Sequence, residues 1–94
     1  MPDERPEQPR RRATALRYEP GDHAPRVLAT GAGVIAERIV AAAREAGVPV
    51  RSDPGLAQTL AALDLGEEIP EALYVAVAEA LAWAYRVDAA APAR

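Results

Sequence analysis

Cysteine, phenylalanine and lysine are all absent from this 94-residue chain, and histidine occurs once. Without Cys there are no disulfides, no thiolate catalysis and no cysteine metal site, which suits a reducing cytosol. A lone His23 cannot build a His-based metal cluster, so neither a metal nor a cofactor is expected. Large rings are scarce, with one Trp and three Tyr, whereas half the residues are apolar and Ala is very common. A chain of this size removes only about 60 to 70% of its accessible surface from water on folding, so the core is expected to be thin and packed through small residues. No apolar run approaches the roughly 18 residues of a membrane span, and the Pro-rich, charged N-terminus lacks the apolar core of a signal peptide. The chain is therefore expected to be soluble and cytoplasmic, reaching a membrane only peripherally through partners. Net charge is −3 with a pI near 5.1, which argues against nucleic-acid binding. The cluster Arg10-Arg11-Arg12 is a local exception, suited to an acidic partner or to anionic headgroups.

One domain is expected, over residues 13–88, between a mobile tail at 1–12 and a frayed end at 89–94. Met1 to Arg12 carries three Pro and seven charged residues with no apolar period. Ala13 to Tyr18 alternates as a strand and ends at Pro20-Gly21, a strong turn signal. Arg26 to Ala29 is a second strand, able to pair with the first as an antiparallel hairpin. An apolar stripe at Ile35, Ile39, Ala42, Ala43 and Ala46 marks a helix that Gly47 closes, after which Val48-Pro49-Val50 is expected to resume as a strand. Ser52 or Asp53 can cap, and Pro54 can open, a short helix marked by Leu56, Leu60 and Leu63. A last helix is expected from Pro70 to about Arg86 or Val87, with Glu67, Glu68 and Glu71 at its positive end. Its apolar face is Leu73, Ala76, Val77, Ala80, Leu81 and Ala84, edged by Tyr74, Trp83 and Tyr85. The fold class is α/β: a small three-layer domain with a short mixed sheet of about three strands, one right-handed βαβ crossover and about three helices.

The turn Gly31-Ala32-Gly33-Val34-Ile35-Ala36 fits the G-x-G-x-x-A form of a dinucleotide fingerprint, and Asp53 stands where a ribose-binding acid would be expected. Gly31, Gly33 and Asp53 thus define an alternative, a small nucleotide-binding domain. Against it, a dinucleotide site needs further βα units, and glycine at a helix entrance also serves tight turning and close packing. No catalytic constellation is present: the only serine, Ser52, and His23 lie in different loops, and adjacent Glu67 and Glu68 suit the macrodipole of the last helix.

Several segments agree, in order and spacing, with one family. Leu16-Arg17-Tyr18, Ala24-Pro25-Arg26-Val27, Thr30 to Ala36, Ala46 to Pro49 and, most specifically, Ile69-Pro70-Glu71-Ala72-Leu73-Tyr74 through Tyr85 resemble the cytoplasmic domain of the FlhB/YscU family. These are export-switch proteins of flagellar and type III secretion systems. The resemblance covers roughly Gln8 to Val87. It implies a protein-binding role in export-substrate recognition or switching, with export-gate proteins and export substrates as partners. Family members cleave themselves at Asn-Pro-Thr-His, through attack of the Asn side-chain amide on its own carbonyl. Those positions hold Gln8, Pro9, Arg10 and Arg11 here, so self-cleavage is expected to be absent: Gln would need a six-membered ring, and Arg11 supplies no imidazole. The family also carries an apolar strand before that motif, which Pro2 to Glu7 cannot make. A free-standing, non-enzymatic binding domain is expected, with a sheet edge open to a partner or to a second copy. Ala24, Pro25 and Trp83 are the expected contact residues.

Overall fold

Pro20 and Gly21 reverse the chain, and Asp22 locks the reversal. Its N–H donates to the Glu19 carbonyl at 2.9 Å, and its carboxylate accepts from the Glu19 N–H at 2.8 Å. The strands on either side, β1 (Arg12–Arg17) and β2 (Arg26–Ala32), pair antiparallel, as the alternation and the turn predict. This computed structural model describes residues 11–90. Arg12, expected in the tail, is the first residue of β1, and the Gly33 N–H extends the pairing to the Arg11 carbonyl at 2.8 Å. A register shift falls between Ala15 and Leu16, which pair with Ala29 and Val27 and leave Leu28 as a bulge, 61% exposed.

The two faces of the hairpin differ in side-chain size, and that difference sorts the layers. Leu16 and Val27 turn to one side, where Val27, Leu60, Ile69 and Val77 form the buried core and Leu56, Leu63, Leu73 and Leu81 pack around it. The opposite side presents Ala13, Ala15, Ala29 and Gly31, a surface low enough for a helix to lie close. Helix α1 (Val34–Glu45) occupies it, with Ile35 and Ile39 against Gly31. Its end is a Schellman motif: Gly47, at φ 78°, donates to the Arg44 carbonyl at 3.1 Å and Val48 donates to Ala43 at 2.8 Å. Only Ala36 on α1 is fully buried, whereas Ile35, Ala42 and Ala46 of the expected apolar stripe are exposed. A sheet of two strands is too narrow to cover the whole stripe.

Strand number is where sequence expectation and structure part. The expected third strand at Val48-Pro49-Val50, and with it the parallel crossover, does not form: those residues pair with no strand among the described residues. Pro49 has no N–H to give a ladder, and no described residue fills the position beside β1 that would join this segment to the sheet. The backbone pairing that does extend the hairpin comes from Gly66 to Ile69, on the far edge of β2. Val27 donates to Glu67 at 3.0 Å, Gly66 to Val27 at 2.7 Å and Ile69 to Pro25 at 2.8 Å, with an antiparallel bridge between Arg26 and Glu68.

Helix α2 (Pro54–Leu60) starts as its sequence predicts, with Pro54 at the first position and the Asp53 carboxylate accepting the Leu56 N–H at 3.2 Å. Because Leu60 is in the core, loss of this cap should reach global stability. Asp53→Ala is expected to cost about 1 kcal/mol in urea unfolding, and Asp53→Ser much less. Pro70 leads into a single 3-10 turn (Glu71–Leu73) and then α3 (Tyr74–Ala90), which continues past the expected end near Val87. Val77 is fully buried, and Ala76 of the predicted apolar face is exposed.

Candidate docking groove

Three layers over a two-stranded sheet leave the helices overhanging an edge. The backbone pairing identifies which groups are there. Since Gly33 bonds to Arg11 and Arg12 pairs with Ala32, the alternation of an antiparallel ladder turns the N–H and C=O of Arg12 and Thr14 away from β2. Leu16 follows, because its partner Val27 spends both backbone groups on Glu67 and Gly66. Among the described residues no backbone hydrogen bond uses these groups of Arg12, Thr14 and Leu16.

Beside this edge lies an open groove of about 1200 Å³, walled by α1, by residues 48–53 and by α2 and α3. Exposed Leu28, Ile35 and Val48 are in its lining, together with half-buried Ile39, Leu56 and Trp83. The far wall is tied down through Arg51, whose guanidinium stands 5.9 Å from the Trp83 ring centroid and donates to the Glu79 carbonyl at 3.4 Å. Charge in the lining is one-sided. Arg11, Arg12, Arg38, Arg44 and Arg51 contribute five cations against two acids, Glu37 and Asp53, and Asp53 is engaged as the α2 cap. This basic lining belongs to a chain of net charge −3, so the sign is local to the groove.

The residues singled out from sequence fall in different places. Gln8, Pro9 and Arg10 lie outside the described residues; Arg11 is exposed at the groove. Trp83 lines the groove, but Ala24 and Pro25 are buried, forming part of a separate hollow of about 210 Å³ with Tyr18, His23 and Tyr74. Leu81 is common to both concavities. Ser52 and His23 are not brought together by any contact. Glu68 accepts from Arg26 at 3.1 Å and lies 3.5 Å from His23, while Glu67 accepts the Asp64 N–H at 2.8 Å, so both acids hold the 64–69 segment rather than the end of α3. Among the described residues no group of His, Asp and Glu is arranged to hold a metal. Gly33 caps α1 at φ 62°, ψ −128°, a conformation open to glycine, and Gly31 provides the close approach to Ile35. The alternative nucleotide residues Gly31, Gly33 and Asp53 therefore each have a structural use, and neither glycine lines the groove that includes Asp53. Sequence reasoning missed Arg38, Arg44 and Arg51 as a set, because their convergence depends on how α1 and the 48–53 segment are placed.

Fold and groove together define a small α/β domain in which no described residue pairs with one sheet edge, between the helical layers. The chain belongs to the FlhB HrpN YscU SpaS family, whose model matches residues 7–84. It is 46% identical over 81 residues to the uncharacterized protein YlqH of Bacillus subtilis (strain 168), covering 85% of this chain and 87% of that one. It is likewise 46% identical over 77 residues to the flagellar biosynthetic protein FlhB of Yersinia enterocolitica, covering 80% of this chain but 20% of FlhB. The chain thus spans about a fifth of the length of its FlhB relatives. Among solved structures it is similar to the PscU C-terminal domain, with TM-score 0.75, 32% identity and coverage of 80% of this chain and 98% of that one. A mutated EscU C-terminal domain gives TM-score 0.77 at 31% identity, covering 81% of this chain and 94% of that domain. No helix among the described residues is long and apolar enough to cross a membrane.

Proposed function

We propose that this chain is a binding module of a flagellar or type III export apparatus, that it contributes to export-substrate recognition or specificity switching, and that it does so without cleaving itself. The observation that carries the reading is the family match from residue 7 to residue 84, which covers both strands, α1, α2 and most of α3. Gln8 in place of Asn replaces a five-membered by a six-membered ring closure, and Arg11 in place of His removes the group that titrates near neutrality. The reading is of a protein that acts at the cytoplasmic face of an export gate, reaching the membrane through its partners. Trp83 marks its contact surface on the groove side, and the hollow at Ala24 and Pro25 marks a second contact on the other side of Leu81.

The purified chain is expected to keep its full mass through days at neutral pH, read by intact mass spectrometry. It is also expected to bind the purified cytoplasmic domains of export-gate proteins. Fragments split between Gln8 and Pro9 would contradict the first part, and absence of binding to every gate domain tried would contradict the second.

A further inference from the structure

We infer that the groove beside β1 takes a strand: a short extended segment of a partner protein, apolar in the middle and acidic at its ends, which adds to the free edge of β1 between α1 and the α2–α3 layer. This deepens the binding-module reading and rests on it. Three observations select this occupant. The N–H and C=O groups of Arg12, Thr14 and Leu16 are directed into the groove and are unused among the described residues, which is the template for strand addition. The walls are apolar on both sides, α1 over one face of the sheet and α2 with α3 over the other, so successive side chains of an added strand would all meet apolar surface. Such strands read as continuous rather than alternating apolar runs. The five arginines then stand around a segment whose own middle is uncharged, and they select acidic flanks.

The same features disfavour the other candidates. A second copy pairing β1 with β1 about a twofold axis would bring two of the same arginine-rich linings together, like charge against like. Residues 1–10 carry Pro2, Pro6 and Pro9, each without the N–H that a ladder needs. A small molecule would find a groove above the usual range of about 300–1,000 Å³, in which no side-chain polar atom of the described residues is buried without a partner.

The test titrates the full-length ¹⁵N-labelled chain with a nonapeptide of five consecutive Val and Ile residues flanked on each side by two acidic residues. Amide exchange at Arg12, Thr14 and Leu16 is expected to slow by more than tenfold, while Ala13 and Ala15, already in the ladder, change little. The reversal Arg38→Glu with Arg44→Glu, on the exposed side of a helix, is expected to weaken binding about tenfold, and Lys-flanked peptide to bind that variant better than the parent. Thr14→Pro removes an edge N–H that β2 does not use and is expected to abolish the slowing; the charge-reversal pair carries the test should that variant fold poorly. The inference is overturned if β1 amides are unmoved at about 1 mM peptide, or if the Lys-flanked peptide binds the parent chain equally. It is also overturned if sedimentation gives a dimer with those amides already protected, or if they are protected in the free chain and released by deleting residues 1–10. Gate domains that still bind the Arg38→Glu, Arg44→Glu chain at parental affinity would remove the groove and leave the export reading standing.

Discussion

Replacing Ile69 by alanine is expected to lower the unfolding free energy by about 3 kcal/mol, the largest effect of any single truncation in this domain. Ile69 is 2% exposed and shares the core with Val27, Leu60 and Val77. Its N–H, bonded to the Pro25 carbonyl at 2.8 Å, also holds the 66–69 segment along β2, so the side chain cannot follow a collapse without disturbing that pairing. With no Phe and a single Trp in the whole sequence, few large neighbours can swing into the space left behind. Against a total stability of about 5–15 kcal/mol this is a large fraction. At an m-value of about 1.5 kcal/mol/M it moves the urea midpoint down by roughly 2 M. Val75→Ala, at a residue of α3 that is 75% exposed, serves as the control and should change stability by under about 0.5 kcal/mol. Equal losses for the two variants would mean that the core has been wrongly placed.

Ile69 opens the segment that carries the family resemblance most specifically, yet nothing local marks it as a core residue. Asp64 to Pro70 carries two Gly-Pro class breakers, three acids and one isoleucine, and by local rules it is a break between helices. Its role is set by partners about forty residues away: Arg26 donates to the Gly66 carbonyl at 3.0 Å and to Glu68, and β2 supplies the backbone bonds. Signals that are satisfied locally were legible. The Pro-Gly turn, the Asp53 cap before Pro54, the Gly47 helix end and the Pro70 helix start are each formed by contacts within a few residues, and each stands where the sequence puts it. The Val48-Pro49-Val50 strand was locally plausible too, but a strand exists only against a neighbour, and none of the described residues stands beside it.

The candidate site divides in the same way. The segments that carry the family resemblance are legible in the linear sequence, and they fall within the matched region, Leu16 to Tyr18 entirely and the one from Ile69 as far as Ala84. The basic lining is not legible there. Arg38 and Arg44 on α1 look like ordinary solvated charges until Arg11, Arg12 and Arg51 are brought around the same groove by the hairpin and by the Arg51–Trp83 contact. Convergence of like charge from three separate stretches of the chain is a property of topology, and neither net charge nor local run length carries it.

Gly31→Ala is expected to destabilise the domain by about 2 kcal/mol, and this result separates the two meanings of the glycine turn. A β-carbon at Gly31 would stand 2.9 Å from Ile35 Cβ and closer still to its Cγ2. Ile35 Cβ is fixed to the first turn of α1, so relief requires the helix to lift from the hairpin rather than a side chain to rotate. If that contact is the reason for glycine, Ile35→Ala should lower the cost of Gly31→Ala by about 1 kcal/mol, since it removes Cγ2 and leaves only the Cβ approach. Ile35 is itself 49% exposed, so its truncation alone is cheap and the cycle is readable by urea unfolding. A phosphate-binding turn predicts otherwise: the two substitutions would be additive in stability, and calorimetry would show heat with NAD or ATP that Gly33→Val or Asp53→Ala removes. Coupling between Gly31 and Ile35 assigns the G-x-G-x-x-A pattern to helix–strand packing. Additivity, or a Gly31→Ala chain as stable as the parent, would return the turn to the list of candidate ligand sites.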